Sequence, residues 1–211
     1  MSTIFSGALP LRLILASSSA YRHELLSRLG LPFTVAIPDL DEQAAPGELP
    51  QQTALRLACG KAAVVAGRHP GALVIGSDQV ATLDGRQIGK PGTHARALAQ
   101  LQTMRGREVT FHTALCLHDA RSAGAPRVRS ANVETQVRFR DLPDRALDAY
   151  LRIEQPYDCA GSAKNEGLGI ALIAECRSGD PTALTGLPLI TLCDMLLDAG
   201  VAFFTAAKES T

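Results

Sequence analysis

Short apolar runs alternating with longer segments of helical period limit this chain's fold more than any other feature. LRLILA (11–16), PFTVAIP (32–38), ALVI (72–75) and EVTFHTALCLHD (108–119) read as strands. Between them, segments starting at SSSAYR (17–22) and covering 51–67 and 93–104 carry apolar residues at helical spacing. VATL (80–83) extends the strand of 72–75, and Asp84-Gly85 is a tight-turn pair leading into RQIGKP. In 131–140, Val133, Thr135, Val137 and Phe139 alternate onto one face, the pattern of a half-exposed antiparallel strand. Helices are expected from Pro143 to about Ile153 and over 187–200, with a loop over 155–169 and a strand over 170–176. Interleaving with at least one antiparallel pair predicts an α/β protein with a mixed sheet.

The chain has 211 residues, enough for one domain or for two lobes around a shared cleft. We read it as a single domain over 1–211, with a poorly ordered tail from about 201. Lys+Arg and Asp+Glu are both 21, so no basic excess points to a nucleic-acid binder, and an anionic ligand must be met by local cations. The five cysteines are scattered without a C-x-x-C and read as reduced thiols. No apolar run approaches the ~18 residues of a membrane span, and no leader is evident, so a cytoplasmic protein is expected. The five histidines show no metal-ligand spacing, and no G-x-G-x-x-G, Walker A, G-x-S-x-G or H-E-x-x-H occurs.

Polar, turn-prone residues cluster where predicted strands end, the usual floor of a site in α/β sheets. Ser17 to Arg22 joins serine hydroxyls, a helix N-terminus and a guanidinium, a set suited to phosphate oxygens and equally to a plain helix cap. DLDE (39–42) is either a solvated acidic loop or a divalent-cation site. In VIGSDQV (74–80) an acid, Asp78, stands at the mouth of a hydrophobic strand, with Lys90 across the predicted hairpin. An ionised Asp there is costly to desolvate unless a metal, a lysine or a catalytic water compensates, or turn amides bond it. AGSAKNEG (160–167) surrounds Lys164 and Glu166 with small residues, as in a loop that approaches a ligand closely. Only four of the 21 cations are lysines, Lys61, Lys90, Lys164 and Lys208. Lys61, among alanines in mid-helix, gains interest only if its helix faces the cleft.

Taken together, LASSSAYR, the acids at 41–42, RLACGKA, IGSDQV, GKP at 89–91, AGSAKNEG and GLPLI resemble the Maf family of nucleotide pyrophosphatases over nearly the whole chain. Ala20 stands where the family usually has proline. The resemblance implies a mixed, twisted sheet with flanking helices, two lobes around a central cleft (Maf/Ham1-like), and a homodimer. It also implies hydrolysis of a nucleoside triphosphate between the α and β phosphorus atoms, with a divalent metal: Mg²⁺, Mn²⁺ or Co²⁺. By motif, Asp78 is the proton acceptor, Ser17, Arg22, Lys61 and Lys90 bind phosphate, and Glu42 with Asp78 binds metal. Tyr21, Gln79 and Glu166 resemble the 7-methyl-GTP branch rather than the dTTP/UTP branch. Physically, a cationic N7-methylguanine stacks on an aromatic face, and a carboxylate accepts from guanine N1–H and N2–H₂. Two readings stay open beside it, a dTTP/UTP pyrophosphatase of the same family and a non-catalytic nucleotide-binding regulator.

Overall fold

The computed structural model describes residues 11–121 and 124–204. Lys208 and the tail beyond 204 lie outside them. In chain order the elements are β1 (Leu13–Ala16), α1 (Ala20–Ser27), β2 (Phe33–Ala36), α2 (Pro50–Arg68), β3 (Leu73–Leu83), β4 (Arg86–Ile88) and α3 (His94–Met104). They continue with β5 (Glu108–Asp119), β6 (Arg127–Phe139), α4 (Asp144–Glu154), β7 (Ile173–Ser178) and α5 (Leu189–Asp198). Short 3₁₀ turns cover Ala160–Ser162 and Leu168–Leu172, so the expected strand over 170–176 begins only at Ile173.

The seven strands form one mixed sheet in the order β2-β1-β3-β5-β6-β7, with β4 also on β3. β1 pairs parallel with β2 and β3, and every other pairing is antiparallel. This is the mixed α/β class that the interleaving predicts.

β3 departs from its sequence reading in one respect. Gly76 to Gln79 do not close the strand; they are its middle, because β5 pairs with β3 without a break from Leu73↔Asp119 to Thr82↔Thr110. The opposite edge of β3 is divided. β1 covers it from Leu73 to Gly76, and β4 covers it from Ala81 to Leu83. Ser77 to Val80 have no strand beside them on that edge. Asp78 therefore stands at a gap between two strand ends, not at the end of its own strand.

Three apolar clusters hold the sheet. Leu15, Ile75 and Leu115 pack with Leu192 and Leu196 of α5 on one face, while Val74, Val80 and Ala114 meet Ala58, Ala62 and Val65 of α2 on the other. Beyond the gap, Ala81, Leu101, Phe111, Val137 and Leu151 make a third cluster with α3 and α4. Each large apolar side chain fully buried this way contributes about 2 kcal/mol relative to exposure. The clusters give two lobes sharing one sheet. No helix among the described residues is long and apolar enough to cross a membrane.

α2 owes its entry angle to Pro50 at its first position and to Gln52, whose side-chain oxygen accepts the Leu49 N–H at 3.0 Å. It lies flush on β3. A Cβ built on Gly76 would stand 2.2 Å from the Ala58 carbonyl oxygen, so only glycine permits this approach. α5 begins over the buried Asp180, whose carboxylate accepts the Ile190 N–H at 2.8 Å.

Candidate active site

The β3 gap opens into a cleft of about 580 Å³ between the lobes. β1 runs up to the gap and passes into Ser17, Ser18 and Ser19, which lead to the N-terminus of α1. β4, running the other way, also ends there, at Ile88, and delivers Gly89 and Lys90. α2 supplies Lys61 from one face of the sheet, and the Asp158–Glu166 loop supplies the far wall. Ser17, Tyr21, Arg22, Glu42, Lys61, Asp78, Gln79, Lys90 and Glu166, all singled out in the sequence, line this one cleft.

Strand alternation sorts the β3 side chains. Gly76, Asp78 and Val80 face α2, where Gly76 lets the helix approach and Lys61 meets Asp78. The Lys61 ammonium lies 2.6 Å from Asp78 Oδ1 and 2.8 Å from Glu42 Oε1. Lys61 is 5% exposed and Asp78 7%, so this pair sits at the base of the cleft. Lys61 is thus no solvated helix lysine; the close packing of α2 turns it inward. Glu42 is more open. Burial alone would raise its carboxyl, but the hydrogen bond and charge of Lys61, then Lys90 and Arg22, hold it below its ordinary value.

Ser77 and Gln79 face the other way and bind the loop ahead of α5. The Ser77 hydroxyl sits between the Ala114 and Gly186 carbonyl oxygens, at 2.8 and 2.9 Å. The Gln79 amide nitrogen donates to the Ala183 and Leu184 carbonyls and to Thr113 Oγ1, at 3.1, 3.0 and 2.9 Å. Its orientation is therefore fixed from behind.

Ser17 Oγ accepts the Ser19 N–H at 3.1 Å, and Ser19 Oγ accepts the Arg22 N–H at 3.4 Å, so the serines both cap α1 and line the cleft. Arg22 Nε donates to the Gly186 carbonyl at 2.9 Å. Burial draws the Arg22 guanidinium below its usual value while Asp78 and Glu42 pull the other way. An arginine starts so high that it keeps its charge.

The other end of the cleft differs in sign. Burial raises the Tyr21 phenol above its ordinary range, helped by Cys159, Asp158 and Glu166, which lie close to it. Desolvation also raises the Glu166 carboxyl; its own backbone N–H and Lys164 oppose the shift, and Glu154 and Glu24 add to it. Lys164 does not line the cleft. Its ammonium is 3.2 Å from Glu154 Oε1, and Glu154 also accepts the Leu168 N–H at 2.6 Å.

Gly169, which follows this loop, is required by local packing. A Cβ on Gly169 would meet the Lys164 carbonyl oxygen at 2.4 Å. Asp158, Asn165, Thr185 and Gly186 also line the cleft and were not singled out in the sequence. A lone Asp in QPYDC belongs to no pattern, and only the fold brings it beside Tyr21.

A family model for Maf-like proteins matches residues 12–199. Similar proteins include the 7-methyl-GTP pyrophosphatase of Paraburkholderia xenovorans, 66% identical over 194 residues and covering 90% of this chain and 93% of that one. The 7-methyl-GTP pyrophosphatase of Ralstonia nicotianae is 64% identical over 192 residues, covering 91% and 97%. That of Cupriavidus metallidurans is 63% identical over 194 residues, covering 92% and 96%. Among solved structures, the Staphylococcus aureus Ham1 protein is 15% identical with a TM-score of 0.47, covering 90% of this chain and 100% of that one.

Proposed function

The chain belongs to the Maf family, and from that premise we propose that it hydrolyses 7-methyl-GTP to 7-methyl-GMP and diphosphate. One observation carries the reading beyond the family: the cleft has two ends of opposite character. Arg22, Lys61 and Lys90 gather at one end, around Asp78, while Tyr21 and Glu166 stand together at the other. A substrate with a polyanionic tail and a cationic, flat head matches both. The neutral pyrimidine of dTTP or UTP gains little from an aromatic ring beside a carboxylate.

In this reading Arg22, Lys61 and Lys90 take the phosphate oxygens, and the serine-capped N-terminus of α1 adds backbone donors. Charge that builds on those oxygens as the P–O bond breaks is thereby stabilised. Asp78 orients the attacking water and accepts its proton. Tyr21 stacks on the base, and Glu166 accepts from its N1–H and N2–H₂. Gln79, its amide nitrogen fixed by three acceptors, supports the wall between the two ends.

Glu42 and Asp78 are the residues to hold a divalent cation. Among the described residues no group of three or more His, Cys, Asp or Glu is gathered to hold one. Two carboxylates on a shared counter-ion fit an ion such as Mg²⁺, Mn²⁺ or Co²⁺ whose remaining oxygens come from phosphate and water. When bound, such an ion neutralises phosphate charge and lowers the pKa of a bound water. A homodimer, which rests on the family resemblance, and a cytoplasmic location, which rests on the scattered cysteines read as reduced thiols, belong to the same reading; light scattering tests the first.

The deciding experiment is a panel of 7-methyl-GTP, GTP, dTTP and UTP with Mg²⁺ or Mn²⁺, read as diphosphate release. 7-methyl-GTP is expected to be cleaved fastest, and Asp78→Asn to lose about 10²- to 10⁴-fold in kcat. Faster cleavage of dTTP or UTP overturns the substrate. Tight binding of 7-methyl-GTP without diphosphate overturns the enzyme in favour of a nucleotide-binding regulator.

A further inference from the structure

Two carboxylates face the Tyr21 end of the cleft, and they are held differently from every other acid around it. Glu42 and Asp78 share Lys61, and Glu154, behind the loop, is taken up by Lys164 and the Leu168 N–H. Asp158 and Glu166 form no ion pair among the described residues, although both line the cleft. Among the described residues the only side-chain partner of Asp158 is the Cys159 thiol, a long contact of 3.6 Å. Asp158 is exposed, so its charge is not needed to hold the loop. The loop has its own anchors, Tyr150, whose hydroxyl accepts the Lys164 N–H at 3.0 Å, and Glu154.

We propose that Asp158 is a further specificity-determining residue, an anion that selects the positive charge of a 7-methylated purine. The proposal rests on the substrate reading above and divides its labour. Glu166 accepts from an edge that GTP and 7-methyl-GTP share, and adds its charge. Asp158, placed before the loop that carries Glu166, acts through charge alone, so it distinguishes the methylated base from the unmethylated one. Its negative field reinforces the aromatic face of Tyr21, where a cation is attracted by the ring quadrupole. The adjoining Cys159 thiol, pushed up to about 11 first by burial and then by the Asp158 charge, stays neutral and adds no competing charge.

The test is Asp158→Asn, which preserves shape and removes only charge. The ratio of kcat/KM for 7-methyl-GTP over GTP is expected to fall about three- to tenfold, the size of an exposed charge contact strengthened by an aromatic neighbour. The fall should lie in KM. Titrations with 7-methyl-GMP and GMP, which need no turnover, should show the same narrowing. Glu166→Gln is expected to weaken both nucleotides, 7-methyl-GTP more. The wild-type preference should decline with ionic strength, and the part lost to salt should be smaller in Asp158→Asn. An unchanged ratio and an unchanged salt response in Asp158→Asn, with a wild type that prefers 7-methyl-GTP, overturn the role of Asp158 alone. A wild type with no such preference overturns the substrate reading instead.

Discussion

Lysine at 61 is the residue whose removal the structure makes most consequential, and the expected size can be worked out. Lys61→Met keeps the length and apolar stem of the side chain while deleting its charge. What remains is Asp78, 7% exposed, with its Oδ1 no longer 2.6 Å from an ammonium. Removing one partner of a buried ion pair costs about 3–5 kcal/mol, because the other charge is left unpaired in a poorly solvated place. The cleft admits water along one side and Glu42 is mostly exposed, so the lower end, about 3 kcal/mol, is the appropriate figure. For a chain of this size that corresponds to a fall in Tm of about 6–12 °C.

Asp78→Asn should cost less, since Lys61 keeps Glu42 at 2.8 Å. The double variant should recover part of the loss, giving a coupling in the double-mutant cycle of about 1–3 kcal/mol. Urea and thermal unfolding followed by circular dichroism measure all three terms. A Lys61→Met protein within about 0.5 kcal/mol of wild type, or a cycle with no coupling, would refute the buried pair as described.

Gly76→Ala should destabilise the protein by about 1–3 kcal/mol and reduce turnover as well, because its Cβ would stand 2.2 Å from the Ala58 carbonyl oxygen and push back the helix that carries Lys61. Urea midpoints and diphosphate release check it, and a wild-type result in both would remove the flush packing from the argument. The preference for 7-methyl-GTP over GTP should fall on acidification at a higher pH than an ordinary carboxylate would give. The reason is that desolvation raises Glu166 above its usual value, so it takes up its proton earlier as pH drops, and the carboxylate is complete only above that raised value. Glu166→Gln should abolish this part of the pH profile; a profile shared by variant and wild type would assign it to another group.

Much of this site is visible in the sequence as chemistry and invisible as geometry. An acid beside an apolar run marks Asp78, yet its place in mid-strand depends on β5, some 35 residues on, pairing straight past it. The serines and Arg22 are legible because caps and anion sites use the same residue types. Lys61 is legible only through the RLACGKA motif, since a lysine among alanines has the local pattern of a solvated helix face. Only the packing of α2, permitted at Gly76, turns it into the cleft. The glycines after Cys159 suggest a close approach to a ligand, and one of them, Gly169, is needed for a reason no local pattern shows, the loop's own backbone at Lys164. Asp158 carries no signal at all until Tyr21 is placed beside it.

The divided edge of β3 explains why residues so far apart in sequence act together. One strand offers its whole length to β5 but only its two ends to β1 and β4, so the unpaired middle, Ser77 to Val80, is where both neighbours stop. β1 stops by starting a helix, which presents N–H groups; β4 stops by releasing Lys90. Because these endings come from opposite directions along the same edge, α1 and the hairpin that carries Lys90 reach the gap from both sides. In the reading proposed above, a phosphate chain lying along that gap would meet them in turn. The cation-poor end, with Tyr21 and Glu166, lies beyond it across the cleft. Shifting β4 by one residue along β3 would invert its side chains and move Lys90 away from the gap. The register Ala81↔Ile88 is therefore as much a part of the site as any charged residue in it.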